Sequence, residues 1–60
     1  MPLSVDTRKV AKAWVVAWKN EEGVYGVAYE MSDGFQGADK IGTKAQAEAI
    51  VKDIARHKDG

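Results

Sequence analysis

Apolar residues in the first part of the chain fall into three segments separated by turn residues. Residues 10–19 and 24–31 are rich in valine, alanine and aromatic residues, a composition typical of strands. Residues 35–41 form a weaker third segment. Gly23 and Gly34 lie in the two intervening turns, where glycine supplies the positive φ that tight turns need. This pattern predicts a three-stranded antiparallel sheet.

Residues 43–57 have the spacing of one amphipathic helix. Ile50 and Ile54 recur on one face of that segment, and its alanine content favours a helix. Thr43 and Gln46 stand in the order of a capping box, in which each side chain bonds the backbone N–H of the other residue. The sequence therefore predicts an α+β fold in the order β-β-β-α, a three-stranded antiparallel sheet packed by one C-terminal helix.

The chain is predicted to be one small domain, residues 1–60, without an internal repeat or linker. Residues 1–9 are a weak lead-in that either frays or adds an edge strand, residues 10–41 form the sheet, and residues 43–57 form the helix. A chain this short buries only about 60% of the surface of its unfolded state. Because it has no cysteine for a disulfide, association with a second chain is the expected source of extra stability.

Turn chemistry at residues 20–23 predicts the register of the first hairpin. A four-residue loop there would place the aromatic residues of the two strands opposite each other, on one face of the sheet. Cross-strand pairs of this kind are typically worth roughly 0.2–1 kcal/mol each. The predicted opposite pairs are Trp18 with Tyr25, Val16 with Val27, and Trp14 with Tyr29.

The second hairpin has two registers to choose from. A two-residue Asp33-Gly34 loop would pair Ser32 with Phe35, whereas a three-residue loop ending at Gly34 would shift the pairing by one residue. The longer loop is favoured because it gives Gly34 the left-handed position and adds two apolar side chains to the aromatic face. Its opposite pairs are Met31 with Phe35 and Tyr25 with Ile41.

These registers predict two different sheet faces, of which one helix can cover only one. Large aromatic side chains bury the most area, so the helix is expected on the aromatic face, which holds both tryptophans. The other face is then uncovered and is the predicted interaction surface. Its residues are Ala13, Val15, Ala17, Gly26 and Ala28, with Lys19 and Glu30 at the margins. In the alternative arrangement the helix packs on the small residues and leaves the aromatic rings as an exposed stacking platform.

No motif in the sequence carries catalytic or metal chemistry. Residues 37–44 differ from a phosphate-binding loop, in which the lysine precedes the hydroxyl residue, because here Thr43 precedes Lys44. His57 is the only histidine and its neighbours are basic. Asp33 lacks the further acidic residues that a calcium loop places at alternate positions. We therefore predict no catalytic residue, no metal site, no cofactor and no enzymatic activity.

Charge and hydropathy bear on the kind of partner. Nine basic residues balance nine acidic residues, whereas nucleic-acid-binding proteins usually carry a basic excess. The longest apolar run, residues 13–18, is too short to span a membrane, and residues 1–4 lack the pattern of a signal peptide. Together with the absence of cysteine, these features predict a cytoplasmic protein without a membrane partner.

The junction between the third strand and the helix resembles that of two DNA-binding families. A strand that runs into a Thr-Lys-x-x-Ala-Glu-Ala helix is similar to the arm-type DNA-binding domain of tyrosine recombinases and to the plant AP2 domain. It also resembles small bacterial and phage proteins of unknown function. In the DNA-binding families the resemblance implies a sheet face that enters the major groove, where Lys19 and Lys40 would be donors. The resemblance covers roughly residues 13–57, and its signature is the junction at residues 41–49.

The neutral charge and the apolar sheet face together predict a protein-interaction module. We expect a small bacterial or phage accessory protein that acts by binding a protein partner and that forms a homodimer. The alternative is a DNA-binding domain that uses the sheet face, for which affinity would fall steeply with salt.

Overall fold

The structure is a computed structural model that describes residues 3–59, with side chains described through His57. A short 3₁₀-helix is followed by three strands in an antiparallel sheet of order β1-β2-β3 and then by one helix. The predicted β-β-β-α fold is confirmed. The elements are the 3₁₀-helix Thr7–Lys9, β1 Val10–Ala17, β2 Tyr25–Met31, β3 Gln36–Gly42 and α1 Lys44–Asp59.

The register of the first hairpin differs by one residue from the predicted register. Trp14 lies opposite Ala28, and the Trp18 backbone N–H donates to the Val24 carbonyl at 2.9 Å, so the loop has five residues. Gly23 has a φ of 79°, and both loop lengths can use it there. Because a slip of one residue exchanges the two faces of a strand, the β1 side chains at residues 13–17 lie on the face opposite to their prediction. The observed pairs include Ala13 with Tyr29, Val15 with Val27 and Val16 with Gly26.

The observed register pairs large rings with small residues. A Cβ atom added at Gly26 would lie 2.7 Å from the Trp18 ring, and one added at Gly37 would lie 2.9 Å from the Tyr29 hydroxyl oxygen. Each ring therefore packs directly on a glycine in a neighbouring strand. The predicted register of the first hairpin placed ring against ring and left Gly26 without a covering ring, whereas the pairing of Tyr29 with Gly37 is common to the predicted and observed registers. This complementarity of size is the physical reason for the difference.

The second hairpin has the predicted three-residue loop. The Met31 N–H donates to the Phe35 carbonyl at 2.7 Å, and Gly34 has the predicted left-handed conformation with a φ of 97°. A β-bulge then shifts the register at the far end of β3, so Tyr25 pairs with Gly42 and not with Ile41 as predicted. Phe35 was predicted on the helix-covered face, but it lies beside the turn, beyond the reach of the helix, and is 59% exposed.

The hydrophobic core lies between α1 and one face of the sheet, which we call the covered face. Val27 at the centre of β2 is fully buried, and Ala13 and Val15 of β1 pack against the core from their strand. Tyr29 supplies the buried aromatic ring, whereas the predicted tryptophans lie on the other side. The buried apolar residues are Leu3, Val10, Val27, Tyr29, Ala47 and Ile54.

The beginning of the chain contributes to the core and does not form the predicted frayed segment or edge strand. Leu3 is buried, and the Ser4 backbone N–H and hydroxyl both donate to the Asp39 carboxylate of β3, at 2.8 and 2.9 Å. Asp6 caps the 3₁₀-helix by accepting from the Arg8 N–H, and this hydrogen bond lowers the pKa of Asp6. Residues 1 and 2 of the predicted lead-in lie outside the described residues.

The capping box at the start of α1 is confirmed. The Thr43 hydroxyl accepts from the Gln46 N–H at 3.2 Å, and the Gln46 side-chain oxygen accepts from the Thr43 N–H at 2.9 Å. Both donors belong to the group of N–H groups that have no partner inside the helix. The motif therefore sets the first residue of the helix and its direction over the sheet.

Replacing Thr43 with alanine is expected to lower the free energy of unfolding by roughly 1 kcal/mol, because the first turn loses a hydrogen-bond acceptor. Urea denaturation followed by circular dichroism measures the change. Thr43→Ser keeps the hydroxyl and serves as the control, with a midpoint close to that of the unchanged protein. Equal midpoints for the alanine and serine variants would contradict a stabilising role for the cap.

Candidate functional site: the open face of the sheet

Within residues 3–59 no element packs over the face of the sheet opposite α1, and we call it the open face. Side chains alternate between the two faces of a strand, so the register places every second residue of each strand here. The members of the open face are Lys12, Trp14 and Val16 of β1, Gly26, Ala28 and Glu30 of β2, and Gln36, Ala38 and Lys40 of β3. The Trp18 ring joins them by packing over Gly26.

Apolar residues occupy the centre of the open face. Trp14, Ala28 and Ala38 stand side by side across the three strands. Val16 follows Trp14 along β1, and the Trp18 ring lies beyond it. Trp14 remains 43% exposed, which is unusual for the largest apolar side chain. A contiguous apolar surface of this kind, edged by polar groups, is typical of an interaction site.

Ion pairs between lysines and glutamates border this apolar centre. At one end the Lys12 Nζ lies 3.4 Å from a Glu30 carboxylate oxygen. At the other end the Lys40 Nζ lies 2.5 Å from a Glu21 carboxylate oxygen in the first hairpin loop. These pairs are largely exposed, so each contributes little to stability. The pairs matter more for the choice of ligand, because each glutamate carboxylate cancels the attraction of its lysine for an anionic ligand.

A groove of about 400 Å³ lies beside the exposed Trp14, toward the first hairpin loop. Ala28 and Ala38 line the groove with small side chains, and the Trp18 ring packs over Gly26 at one side. The groove exists because the small residues Ala28 of β2 and Ala38 of β3 lie next to the large ring of Trp18, which follows β1. The residues lining it include Val16, Trp18, Lys19, Asn20, Ala28 and Ala38.

The structure divides the predicted interaction surface between both faces. Gly26, Ala28 and Glu30 lie on the open face, as predicted. The predicted β1 members do not join them, because of the one-residue register difference: Ala13 and Val15 pack against the core. Of the two remaining predicted residues, Ala17 is at the exposed end of β1 and Lys19 is in the loop, and both line the groove.

Sequence reasoning missed three residues of the open face, Trp14, Val16 and Trp18, and assigned them to the core. The signal that could have placed them was the alternation of small and large residues in β2 and β3. Gly26 and Gly37 each leave space for a ring, and on this basis Trp18 and Tyr29 fall on opposite faces. The arrangement with exposed tryptophans, described above as the alternative, is closer to the structure.

Between Leu3 and His57, no three acidic or histidine side chains are grouped to hold a metal ion. His57 is exposed near the end of α1, beside Thr7, Arg8 and Ile54. The segment that resembled a phosphate-binding loop is the end of β3 and the cap of α1. No helix within residues 3–59 has the length and apolarity needed to cross a membrane.

Fold and surface together define a β-β-β-α domain with one covered and one open sheet face. Comparisons of the chain with protein-family models, with curated proteins and with solved structures found no match.

Proposed function

We propose that this domain is a non-catalytic protein-interaction module that binds its partners through the open face. The observation that carries the proposal is the 43% exposure of Trp14 at the centre of an apolar sheet face. Tryptophan is among the residues that contribute most binding energy when buried in a protein interface. A protein partner would remove this ring and the neighbouring alanines from water.

The charges of the open face favour a protein partner over DNA. A DNA-binding surface gains most of its affinity from lysines and arginines that meet phosphates. Here Lys12 and Lys40 are each paired with a glutamate, and no arginine lies on the face. A phosphate would have to displace a carboxylate and then remain near it. DNA binding, which the resemblance to the recombinase and AP2 domains implied, is therefore the less supported function.

The proposal includes self-association and a cellular setting. A chain of 60 residues without cysteine has a small core, and a second copy over the open face would add apolar burial. We propose a homodimer, and a role as a small accessory protein in the cytoplasm of a bacterium or a phage-infected cell.

Affinity capture with three versions of the protein tests the protein-interaction proposal. The unchanged protein, Trp14→Ala and Phe35→Ala are immobilised and exposed to lysate of the native host, one portion untreated and one portion treated with nuclease. Phe35 is the matched control, because it is an exposed aromatic residue, 59% accessible, that lies beside the second turn and outside the open face. We expect the unchanged protein and Phe35→Ala to retain the same proteins and Trp14→Ala to lose them.

Circular dichroism of all three proteins shows that the variants are folded. Equal capture by Trp14→Ala and the unchanged protein would contradict the role of the open face. Capture that disappears with nuclease treatment, together with salt-sensitive binding of duplex DNA by the purified protein, would favour the DNA-binding function instead.

A further inference from the structure

One end of the groove on the open face carries an exposed positive charge, that of Lys19. This side chain lines the groove and makes no ion pair with any residue between Leu3 and His57. The two lysines of the open face itself, Lys12 and Lys40, are each paired with a glutamate. Lys19 is therefore the position at which this surface can attract a negative charge from a partner.

The rest of the groove is mostly apolar, since its lining is formed by Val16, Ala17, Trp18, Ala28 and Ala38. Asn20 adds an amide group at the end where Lys19 lies. We infer that the groove receives a short extended segment of a partner protein, in which a large apolar side chain stands within two residues of an Asp or Glu. The inference rests on the proposed function and names the chemistry of the partner of that same surface.

The size of the open face suits a short segment. Three strands about 4.8 Å apart, with about 3.3 Å for each of the seven residues of β2 and β3, make a face of roughly 14 by 23 Å. Two such faces together bury roughly 640 Å², whereas stable interfaces between folded chains bury at least about 1,200 Å². Self-association through this face is therefore weak, and a segment of about seven extended residues, which covers the same length, displaces it.

The groove has room for one large side chain of such a segment. An apolar cavity of about 150 Å³ can hold benzene, and the volume of the groove is about 400 Å³. The ring of Trp14, 43% exposed beside the groove, adds apolar area that the segment can cover. With the apolar side chain in the groove, the backbone of the segment lies on the face, and a carboxylate one or two residues away can reach the Lys19 ammonium group.

Neither glutamate of the first hairpin loop forms an ion pair with Lys19. Glu21 is paired with Lys40, and Glu22 lines a separate hollow at the loop. One exposed lysine beside an apolar groove fits one carboxylate beside one apolar side chain, whereas a DNA backbone presents a row of phosphates that needs several cations. Charge complementarity of this kind determines which partner binds more than how tightly it binds.

Selection from a library of random peptides displayed on phage tests the inference. The immobilised proteins are the unchanged protein, Lys19→Glu and Lys52→Glu. Lys52 is the matched control, because it is an exposed lysine of α1, on the other side of the sheet, and its replacement changes the net charge equally. We expect the unchanged protein and Lys52→Glu to select peptides with Asp or Glu within two residues of a large apolar residue. Lys19→Glu is expected to select Lys or Arg in place of the acidic residue.

A synthetic copy of the most enriched peptide gives the size of the effect by isothermal titration calorimetry. Its dissociation constant is expected to rise about tenfold in Lys19→Glu, because the reversal removes one exposed ion pair and adds a like-charge contact. Ala38→Gln fills the groove and keeps the charge of Lys19, and this variant is expected to lose measurable binding. Circular dichroism establishes that each variant is folded.

Two outcomes would overturn the inference. If the peptides selected by the unchanged protein share no pattern, or an apolar pattern without an acidic residue, the groove has another occupant, such as a second copy or a small apolar ligand. If Lys19→Glu selects the same peptides as the unchanged protein, Lys19 does not recognise the charge of the partner. In either case Trp14-dependent capture of a protein from lysate would still support the proposed function, so the failures of the two proposals can be told apart.

Discussion

Replacing Ile54 with alanine is expected to unfold a large part of the population at room temperature. Ile54 is 3% exposed in α1, packed against the covered face of the sheet. Truncating a buried isoleucine to alanine costs about 2–5 kcal/mol, through the lost burial and the cavity that remains. A core this small rarely supplies more than about 3–5 kcal/mol in total. Alanine is also the best helix former, so the loss comes from packing and not from the helix itself.

Denaturant titration followed by circular dichroism measures this loss. Glu48→Ala is the control, because Glu48 lies on the exposed side of the same helix. Its free energy of unfolding is expected to stay within about 0.5 kcal/mol of the unchanged protein. A shift in Ile54→Ala no larger than that of Glu48→Ala would mean that α1 does not pack on the sheet as described.

Replacing Gly26 with alanine is expected to destabilise the fold by about 1–3 kcal/mol, the typical cost of overpacking. The added methyl would lie 2.7 Å from the Trp18 ring and closer still to the Asp39 carbonyl oxygen of β3. The ring can rotate away, but the carbonyl belongs to the paired strand, so the sheet must shift at the β-bulge beside Gly26. The larger part of the cost therefore comes from the close pairing of β2 with β3 at Gly26, and the Trp18 ring adds to it.

The midpoint of thermal unfolding measures the effect, and Ala28→Ser is the control. Ala28 lies on the same face of the same strand and is opposite Trp14, and serine changes its volume little. We expect the control to unfold near the temperature of the unchanged protein. A Gly26→Ala variant as stable as this control would show that β3 and the Trp18 ring do not lie as close to this glycine as described.

The sequence was sufficient for the order of elements, because each depends on local chemistry. Thr43 and Gln46 specify the start of α1 through their own hydrogen bonds. Gly34 specifies the second turn through its left-handed φ. Signals of this kind act within a few residues, and the sequence displays them completely.

The composition of each sheet face could not be predicted, because it depends on the length of one loop. Four-residue and five-residue loops both place Gly23 in a turn. The four-residue loop puts Trp14 and Trp18 together on the covered face, whereas the five-residue loop puts both on the open face. The choice between them comes from packing across strands, where Trp18 fits over Gly26. The aromatic cross-strand pairs favoured the four-residue loop, whereas the space over Gly26 favours the five-residue loop. The structure therefore places Gly26, Ala28 and Glu30 on the predicted uncovered face but Ala13 and Val15 on the covered face, and the binding role of these residues stays a prediction.

Both tryptophans of the chain lie on the open face, and the buried ring of the core belongs to a tyrosine. Indole emission moves to shorter wavelength when water is excluded from the ring, so the intrinsic fluorescence of this protein reports the occupancy of one surface. Unfolding changes the surroundings of the exposed Trp14 comparatively little, whereas Trp18, packed on Gly26, also responds to unfolding, so Trp18→Phe isolates the signal of Trp14. The emission wavelength of an unlabelled sample can thus report binding at the open face, while far-ultraviolet circular dichroism measures whether the sample is folded.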